Sequence, residues 1–390
     1  MPILESFRAT VYAGNLDSAQ VTTPPYDVIS SIERERLRAL HPHNMVHLIL
    51  GGAPGNGTGA DQYRGAAQRL RQWIRAGVLV REGPAAMYLY RMDYREGARA
   101  RSTAGVVGTL TLEGFREGGI FPHERTFPGP VADRLRLMRA AQANLEPIWL
   151  VAARGSEALG VLAEVARPGA IVDYSESGGI RHRLWRASPD EARGVAEALC
   201  STPLVIADGH HRYTAALAFR DEERARAGPG PWDQTLALIS DPLRHPPSLL
   251  PIHRVARVSI DRVASAAELI AFPGDLEKLA SHVSQAGPGT IGVAGPGGCW
   301  TMSPKSALDS EWIGTQVLQP LGAEAIYQHD LEQVSTEILA GAVGFILAPV
   351  PLGLVLEAAL AGRLMPQKTT LFWPKPRTGL LLRDLESSAT

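Results

Sequence analysis

Leu204-Val205-Ile206-Ala207-Asp208-Gly209-His210-His211-Arg212-Tyr213 is the stretch on which the reading of this chain turns. Pro203 to Ala207 is a short apolar run of the kind that forms a buried strand, and it breaks at Asp208-Gly209. The residues that follow, through about Arg226, place Tyr213, Ala216 and Leu217 on one helical face and Glu222 and Arg226 as an i,i+4 pair. A strand thus delivers a carboxylate, a glycine, two imidazoles and a guanidinium to the first turn of a helix. A helix N-terminus offers unpaired backbone N–H groups and partial positive charge, and both suit a phosphate. Gly209 lets an anion approach the backbone, with His210 and His211 beside it. Arg212 carries the planar fork that grips phosphate oxygens in pairs. Asp208 is a hard oxygen ligand suited to Mg²⁺ or to orienting a hydroxyl. The competing structural reading makes Asp208 a helix cap and leaves both histidines on the surface.

Upstream lies Phe121-Pro122-His123-Glu124-Arg125-Thr126-Phe127-Pro128-Gly129-Pro130. Glu124 sits between basic neighbours in a loop bounded by Pro and Gly, which suits a general base for a substrate hydroxyl. His123 and Thr126 flank it as substrate contacts; the plainer alternative is a solvated loop. Pro130 falls near the start of a helix over about 131–143. Arg134 there joins the phosphate candidates and Asn144 the substrate candidates, although each alone reads as part of a solvated face. The rigid turn Pro24-Pro25-Tyr26-Asp27 presents Asp27, and Met365-Pro366-Gln367-Lys368-Thr369-Thr370 presents Lys368 as a point charge for phosphate. Gly51–Gly59 is not a P-loop, because no Gly-Lys-Ser/Thr follows, and Gly105–Gly108 is no dinucleotide fingerprint.

The bulk properties exclude several classes. A chain of 390 residues exceeds one hydrophobic core, so two or three domains are expected. At 45% hydrophobic and 20% charged the composition is globular, and a formal net charge of -1 gives no global field for nucleic acid or an anionic membrane. Of 39 basic residues only Lys278, Lys305, Lys368 and Lys375 are lysine. Cys200 and Cys299 form no CxxC, which argues against zinc and disulfides and fits a reducing compartment. MPILESFRAT has no leader pattern, and no run approaches the ~18 apolar residues of a membrane span. A cytoplasmic location is expected, with a small-molecule substrate, no nucleic acid and no membrane; the oligomeric state is left open.

Three regions are expected: a mixed α/β part over 1–100, a core over 101–230 that carries the chemistry, and a C-terminal α/β part over 231–390. Gly228-Pro229-Gly230-Pro231 punctuates the second boundary. Asn44 to Leu50 reads as a strand, about 61–76 as a helix, Met87–Tyr94 and Gly105–Leu112 as a strand pair, and Thr290–Met302 as a hairpin turning at Gly295–Gly298.

PPYDVIS, NMVHLIL, GVVGTL, HERTFPGPVADRLRLMRAAQANLEPI, ADGHHRYTAAL, LPIHR and MPQKTTLFWPK, in this order, resemble the family catalogued as domain of unknown function 1015. The central segment is in turn similar to the ParB/sulfiredoxin fold and to ParB-like free serine kinases. The resemblance implies an α+β fold with a ParB/sulfiredoxin-like core. It also implies that Glu124 is the base on the acceptor hydroxyl, that Asp208 serves the metal or hydroxyl, and that His210, His211 and Arg212 serve the phosphates. Two positions depart from the pattern. Val131 stands where a lysine is common, and His47 where an arginine is common; losing two fixed charges would weaken donor binding or mark a changed substrate. Sulfiredoxin-like chemistry needs a cysteine in the phosphate motif, and none is present.

The expected activity is phosphoryl transfer from ATP, ADP or pyrophosphate, with Mg²⁺, to the hydroxyl of a small amino or hydroxy acid. Two rivals stand beside it. One is a nucleotide-binding switch without catalysis; the other is a divergent biosynthetic enzyme using the same pocket for another transfer or hydrolysis.

Overall fold

The structure, a computed structural model, describes residues 3–51, 59–115, 117–154, 159–160, 168–304 and 308–385. The chain divides into two compact units. One comprises Met1–Pro122, Thr126–Pro247 and Pro374–Thr390, and the other His123–Arg125 and Ser248–Trp373. The boundaries expected near 100 and 230 both fall within the first unit.

The first unit is built on a nine-stranded sheet. Its strands are β1 (Leu4–Glu5), β4 (Tyr88–Glu96), β5 (Arg99–Thr111), β6 (Ile120–Phe121), β8 (Ile148–Ala152), β9 (Val172–Ser175), β10 (Arg181–Arg186), β11 (Leu204–Asp208) and β12 (Gln234–Ser240). The order is β6-β11-β8-β12-β5-β4-β10-β9, with β1 added beside β5. The expected pair of strands is the β4–β5 hairpin, which turns at Gly97 with φ 58°. β12 lies between β8 and β5 near the sheet's centre, so the Gly-Pro segment before it is a turn inside the unit and not a linker. Two small pairings complete the unit: β2 (Thr10–Tyr12) with β3 (Leu79–Arg81), and β7 (Ala143–Asn144) with β21 (Arg383–Asp384).

One face of the sheet buries Ile148, Leu150, Ala152, Leu204 and Ile206 against Tyr213 and Ala216 of the His210–Ala227 helix and Val195 and Leu199 of the Pro189–Leu199 helix. Residues two apart on a strand share a face, so strict alternation from Leu204 and Ile206 would aim Asp208 into this apolar cluster. A register shift between Ile206 and Asp208 prevents that: Ile206 pairs with Leu150, and Asp208 with Trp149. The irregularity turns the carboxylate away from the apolar face.

Asn44–Leu50 is not a strand. Val46–Ile49 forms one helical turn, because the Asn44 side chain accepts from Val46 N–H at 3.0 Å and donates to the Gln20 carbonyl at 2.6 Å. An apolar run buried on all sides does not declare its period, and the capping asparagine decides it. The Glu222–Arg226 pairing also differs: Arg226 meets Glu223, while Glu222 receives Arg139 of the Pro128–Ala141 helix.

The second unit holds a six-stranded antiparallel sheet. Its strands are β14 (His253–Ala256), β15 (Ile270–Phe272), β16 (Ile291–Gly295), β17 (Gly298–Met302), β18 (Ile326–Gln328) and β19 (Val343–Ile346), in the order β15-β17-β16-β19-β14-β18. The β16–β17 hairpin turns at Gly295–Gly298, as its glycines predict. β13 (Ser248–Leu250) pairs with β20 (Leu371–Trp373). Val293, Val343 and Phe345 lie in its core. With a mostly antiparallel nine-stranded sheet, parallel only at β6–β11 and β8–β12, an antiparallel six-stranded sheet and separate helices, the protein is α+β.

Candidate functional site

In the first unit, the turn after β11 is the centre of a buried charge cluster. The His210–Ala227 helix has Gly209 at its N-cap with φ 95°, and no side chain caps it. The first intrahelical bond runs from Tyr213 N–H to the Gly209 carbonyl. Asp208 is therefore not the cap, and His210 is buried while His211 is half-buried, so the surface reading of this turn does not hold. A Cβ at Gly209 would stand 3.1 Å from the Arg212 guanidinium, in a backbone region that side-chain-bearing residues avoid.

Both Asp208 oxygens are engaged. Arg212 Nη2 donates to Oδ2, and Lys375 Nζ donates to Oδ1. Burial alone would push this carboxyl up; Lys375 and Arg212 outweigh it and hold the group well below the usual carboxylate range. Arg212 turns its other η nitrogen to the Pro147 carbonyl, and its Nε lies 3.8 Å from Glu146 Oε2. Burial works against its charge, but Glu146, Asp208 and Asp27 together raise its pKa further. The paired grip on phosphate expected of Arg212 is thus directed inward, to Asp208 and a carbonyl. Glu146 in turn accepts from Tyr26 N–H at 3.2 Å and from the Thr378 hydroxyl at 3.0 Å.

His211 Nε2 accepts from the Phe127 N–H at 3.0 Å, and the two rings stack 6.1 Å apart. With Nε2 accepting, the neutral imidazole carries its proton on Nδ1. Arg134 is 5% exposed, contrary to a solvated face. It donates to the Ile49 carbonyl at 3.0 Å and to Asp133 at 2.8 Å, and stands 3.9 Å over the Tyr26 ring. Among the described residues its Nη1 has no hydrogen-bond partner, nor has Arg212 Nε. Both guanidiniums line a cavity of about 40 Å³ with Asn144 and Glu146. That is room for ordered water, which needs only about 10–15 Å³ of such space and two or more polar partners. Asn144 accepts from Leu236 N–H at 3.2 Å and from Arg383 at 3.3 Å, which makes it a buried brace and not a substrate contact. Asp27 is exposed, and its charge is felt at Arg212; Thr126 is half-buried in the same unit.

The second unit gathers a different set. Glu124 forms a bridge with Met365, whose N–H donates to the His123 carbonyl at 2.7 Å. His123 Nε2 lies 2.8 Å from the Thr370 hydroxyl, and Gln367 donates to the Arg125 carbonyl at 3.3 Å. Lys368, half-buried, adopts φ 54° in this loop. Arg254 brings a buried positive charge beside Glu124; burial pulls its pKa down to about 10, with Tyr327 and Glu124 opposing. Burial likewise pushes His253 down to about 4. HER, PIHR and MPQKTT, far apart in the sequence, are therefore one cluster. Among the described residues no group of three or more His, Cys, Asp or Glu could hold a metal ion.

The family described as "Protein of unknown function (DUF1015)" matches residues 4–318. The chain belongs to this family. No curated protein matches the chain. Among solved structures, a free serine kinase in complex with AMP is similar at 14% identity and a TM-score of 0.38, covering 67% of this chain and 88% of that one. A conserved hypothetical protein from Pyrococcus furiosus is similar at 16% identity and a TM-score of 0.36, covering 67% of this chain and 92% of that one. SbnI from Staphylococcus aureus, truncated at its C-terminus, is similar at 9% identity and a TM-score of 0.41, covering 73% of this chain and 90% of that one. No helix among the described residues is long and apolar enough to cross a membrane.

Three participants escaped the sequence reading: Glu146, Arg254 and Lys375. Each lay within or beside a string already singled out, as ANLEPI, LPIHR and LFWPK. A charge set between Leu145 and Pro147 was the available signal for Glu146.

Proposed function

We propose that this chain is a phosphotransferase that moves a phosphoryl group from ATP, ADP or pyrophosphate to the hydroxyl of a small amino or hydroxy acid. The observation that carries the reading is the uncapped N-terminus of the His210–Ala227 helix, entered through Gly209 at φ 95°. N–H groups there meet donor phosphate oxygens, and His211, with its proton on Nδ1, adds a neutral contact. Arg212 and Arg134 supply positive field from behind the turn rather than direct ligation. Glu124 is assigned as the base that takes the acceptor's proton, Lys368 as a further phosphate charge, and His123 as the residue that orders the Glu124 loop through Thr370. A Mg²⁺ ion, where the reaction uses one, would supply charge neutralisation on the donor phosphates. Asp208 does not fit as its protein ligand, since both its oxygens are engaged.

Incubating the purified protein with labelled ATP, ADP or pyrophosphate and serine tests the reading. Label on the acceptor hydroxyl, lost in Glu124→Gln, supports it. No transfer, together with no donor binding by calorimetry, removes it. The inward engagement of Arg212 and Asp208 favours one rival, a nucleotide-binding switch; donor binding with no transfer to any small hydroxyl would select that instead.

A further inference from the structure

Asp208 looks in sequence like a metal ligand, yet its environment is that of a carboxylate already neutralised. One oxygen takes Arg212 and the other takes Lys375, and the three side chains are only 7%, 9% and 12% exposed. Mg²⁺ demands near-octahedral oxygen coordination. Glu146, whose Oε2 lies 3.8 Å from Arg212 Nε, is occupied by Tyr26 N–H, Thr378 and the Arg212 charge. A divalent ion at Asp208 would also have to sit against an ammonium and a guanidinium.

Lys375 is not a loose side chain that happens to fold back. It lies between Pro374 and Pro376 on the segment where the chain re-enters the first unit. The next residues are pinned there. Arg377 N–H donates to the Tyr90 hydroxyl at 3.2 Å, its guanidinium donates to the Thr22 carbonyl at 2.9 Å and to Glu176 at 3.1 Å, and Thr378 and Thr23 exchange backbone bonds at 2.8 and 3.1 Å. The two prolines restrict the backbone on either side of the lysine.

We propose that Lys375 is a built-in cation of the 208–212 turn. It holds the place in which a metal ion would otherwise neutralise Asp208, and the turn binds no divalent cation of its own. Lys375 is then a positioning residue, fixing Asp208 and through it the Arg212 guanidinium behind the helix N-terminus. A compact ammonium suits one carboxylate oxygen, where a guanidinium would seek two. The inference concerns the turn alone and does not require that phosphoryl transfer occur.

The test is a titration of the full-length chain with Mn²⁺, without nucleotide, following the free-ion paramagnetic resonance signal. The wild-type turn is expected to bind no Mn²⁺. Lys375→Met is expected to create a site on the order of tenfold tighter than any wild-type binding, once the competing ammonium is gone. Adding Asp208→Asn should abolish it. Wild-type Mn²⁺ binding that disappears in Asp208→Asn would overturn the proposal, as would a folded Lys375→Met that gains no site. If Lys375→Met does not fold, the comparison of wild type with Asp208→Asn still decides.

Discussion

Nε2 of His182 lies 2.6 Å from Oε1 of Glu176, at the turn that closes the β9–β10 hairpin. The other ring nitrogen of His182 is 2.7 Å from the Tyr90 hydroxyl, which accepts in turn from Arg377 N–H. A neutral imidazole satisfies every partner: it donates from Nε2 to the carboxylate and accepts the Tyr90 proton at Nδ1. Burial pulls the His182 pKa down, Glu176 opposing it. For Glu176, burial pushes up, but His182 and Arg377 outweigh it and the net direction is down.

Both groups therefore bind protons less readily folded than unfolded, and the stability they contribute is lost as pH falls. His182 acts below its ordinary value near 6.5, and Glu176 below its ordinary value near 4.5. The urea midpoint of the first unit should drop between pH 7 and pH 5, with a shallower slope in His182→Gln. A midpoint that rises on acidification would contradict the assignment.

Asn144→Ala removes the side-chain acceptor of Leu236 N–H in the buried interior, while Arg383 keeps the Gln234 and Pro231 carbonyls. The expected loss is about 1–3 kcal/mol in urea unfolding. Donor affinity by calorimetry should stay within a factor of two, since Asn144 is a brace.

Gly209→Ala forces a side chain into the left-handed region and against the Arg212 guanidinium. The backbone alone costs about 1–2 kcal/mol. Losing one charge-assisted contact at the helix N-terminus should raise the donor Kd by about tenfold, visible in the same calorimetric titration.

Glu124→Gln keeps the shape of the second unit's cluster and removes the carboxylate proposed as base. Transfer should fall by about 10²–10⁴-fold with donor binding unchanged, as general-base removal does. Equal loss of binding and rate would assign Glu124 to structure.

Lys368 occupies a left-handed conformation that glycine adopts freely, so Lys368→Gly should leave stability unchanged or slightly raised. A weaker donor affinity in a variant that melts no earlier would separate its charge from its role in the loop.

The strand-to-helix junction was legible because an apolar run meets Asp-Gly-His within a few residues, and that information is local. The irregularity that turns Asp208 away from the core was not, since it depends on pairing with β8. Lys375 could not be found from its surroundings either, because it meets Asp208 across 167 positions of chain. Arg134 read as solvated from its polar helix, whereas Tyr26 and the Ile49 carbonyl enclose it. Gly228–Pro231 has every mark of a linker, yet β12 follows it directly into the middle of the sheet. Local composition records a turn equally well inside a unit and between units.

The last described residues return to the first unit and close it through Lys375, Arg377, Thr378 and the β7–β21 pair. A fragment stopped at Leu318, where the family match ends, would keep Asp208 with Arg212 and Glu176 with His182 but lose Lys375 and Arg377, the second cation at each carboxylate. Such a truncation should yield insoluble material. Excising 248–373 behind a flexible tether instead retains every strand of the nine-stranded sheet, and is the rational route to expressing that half by itself.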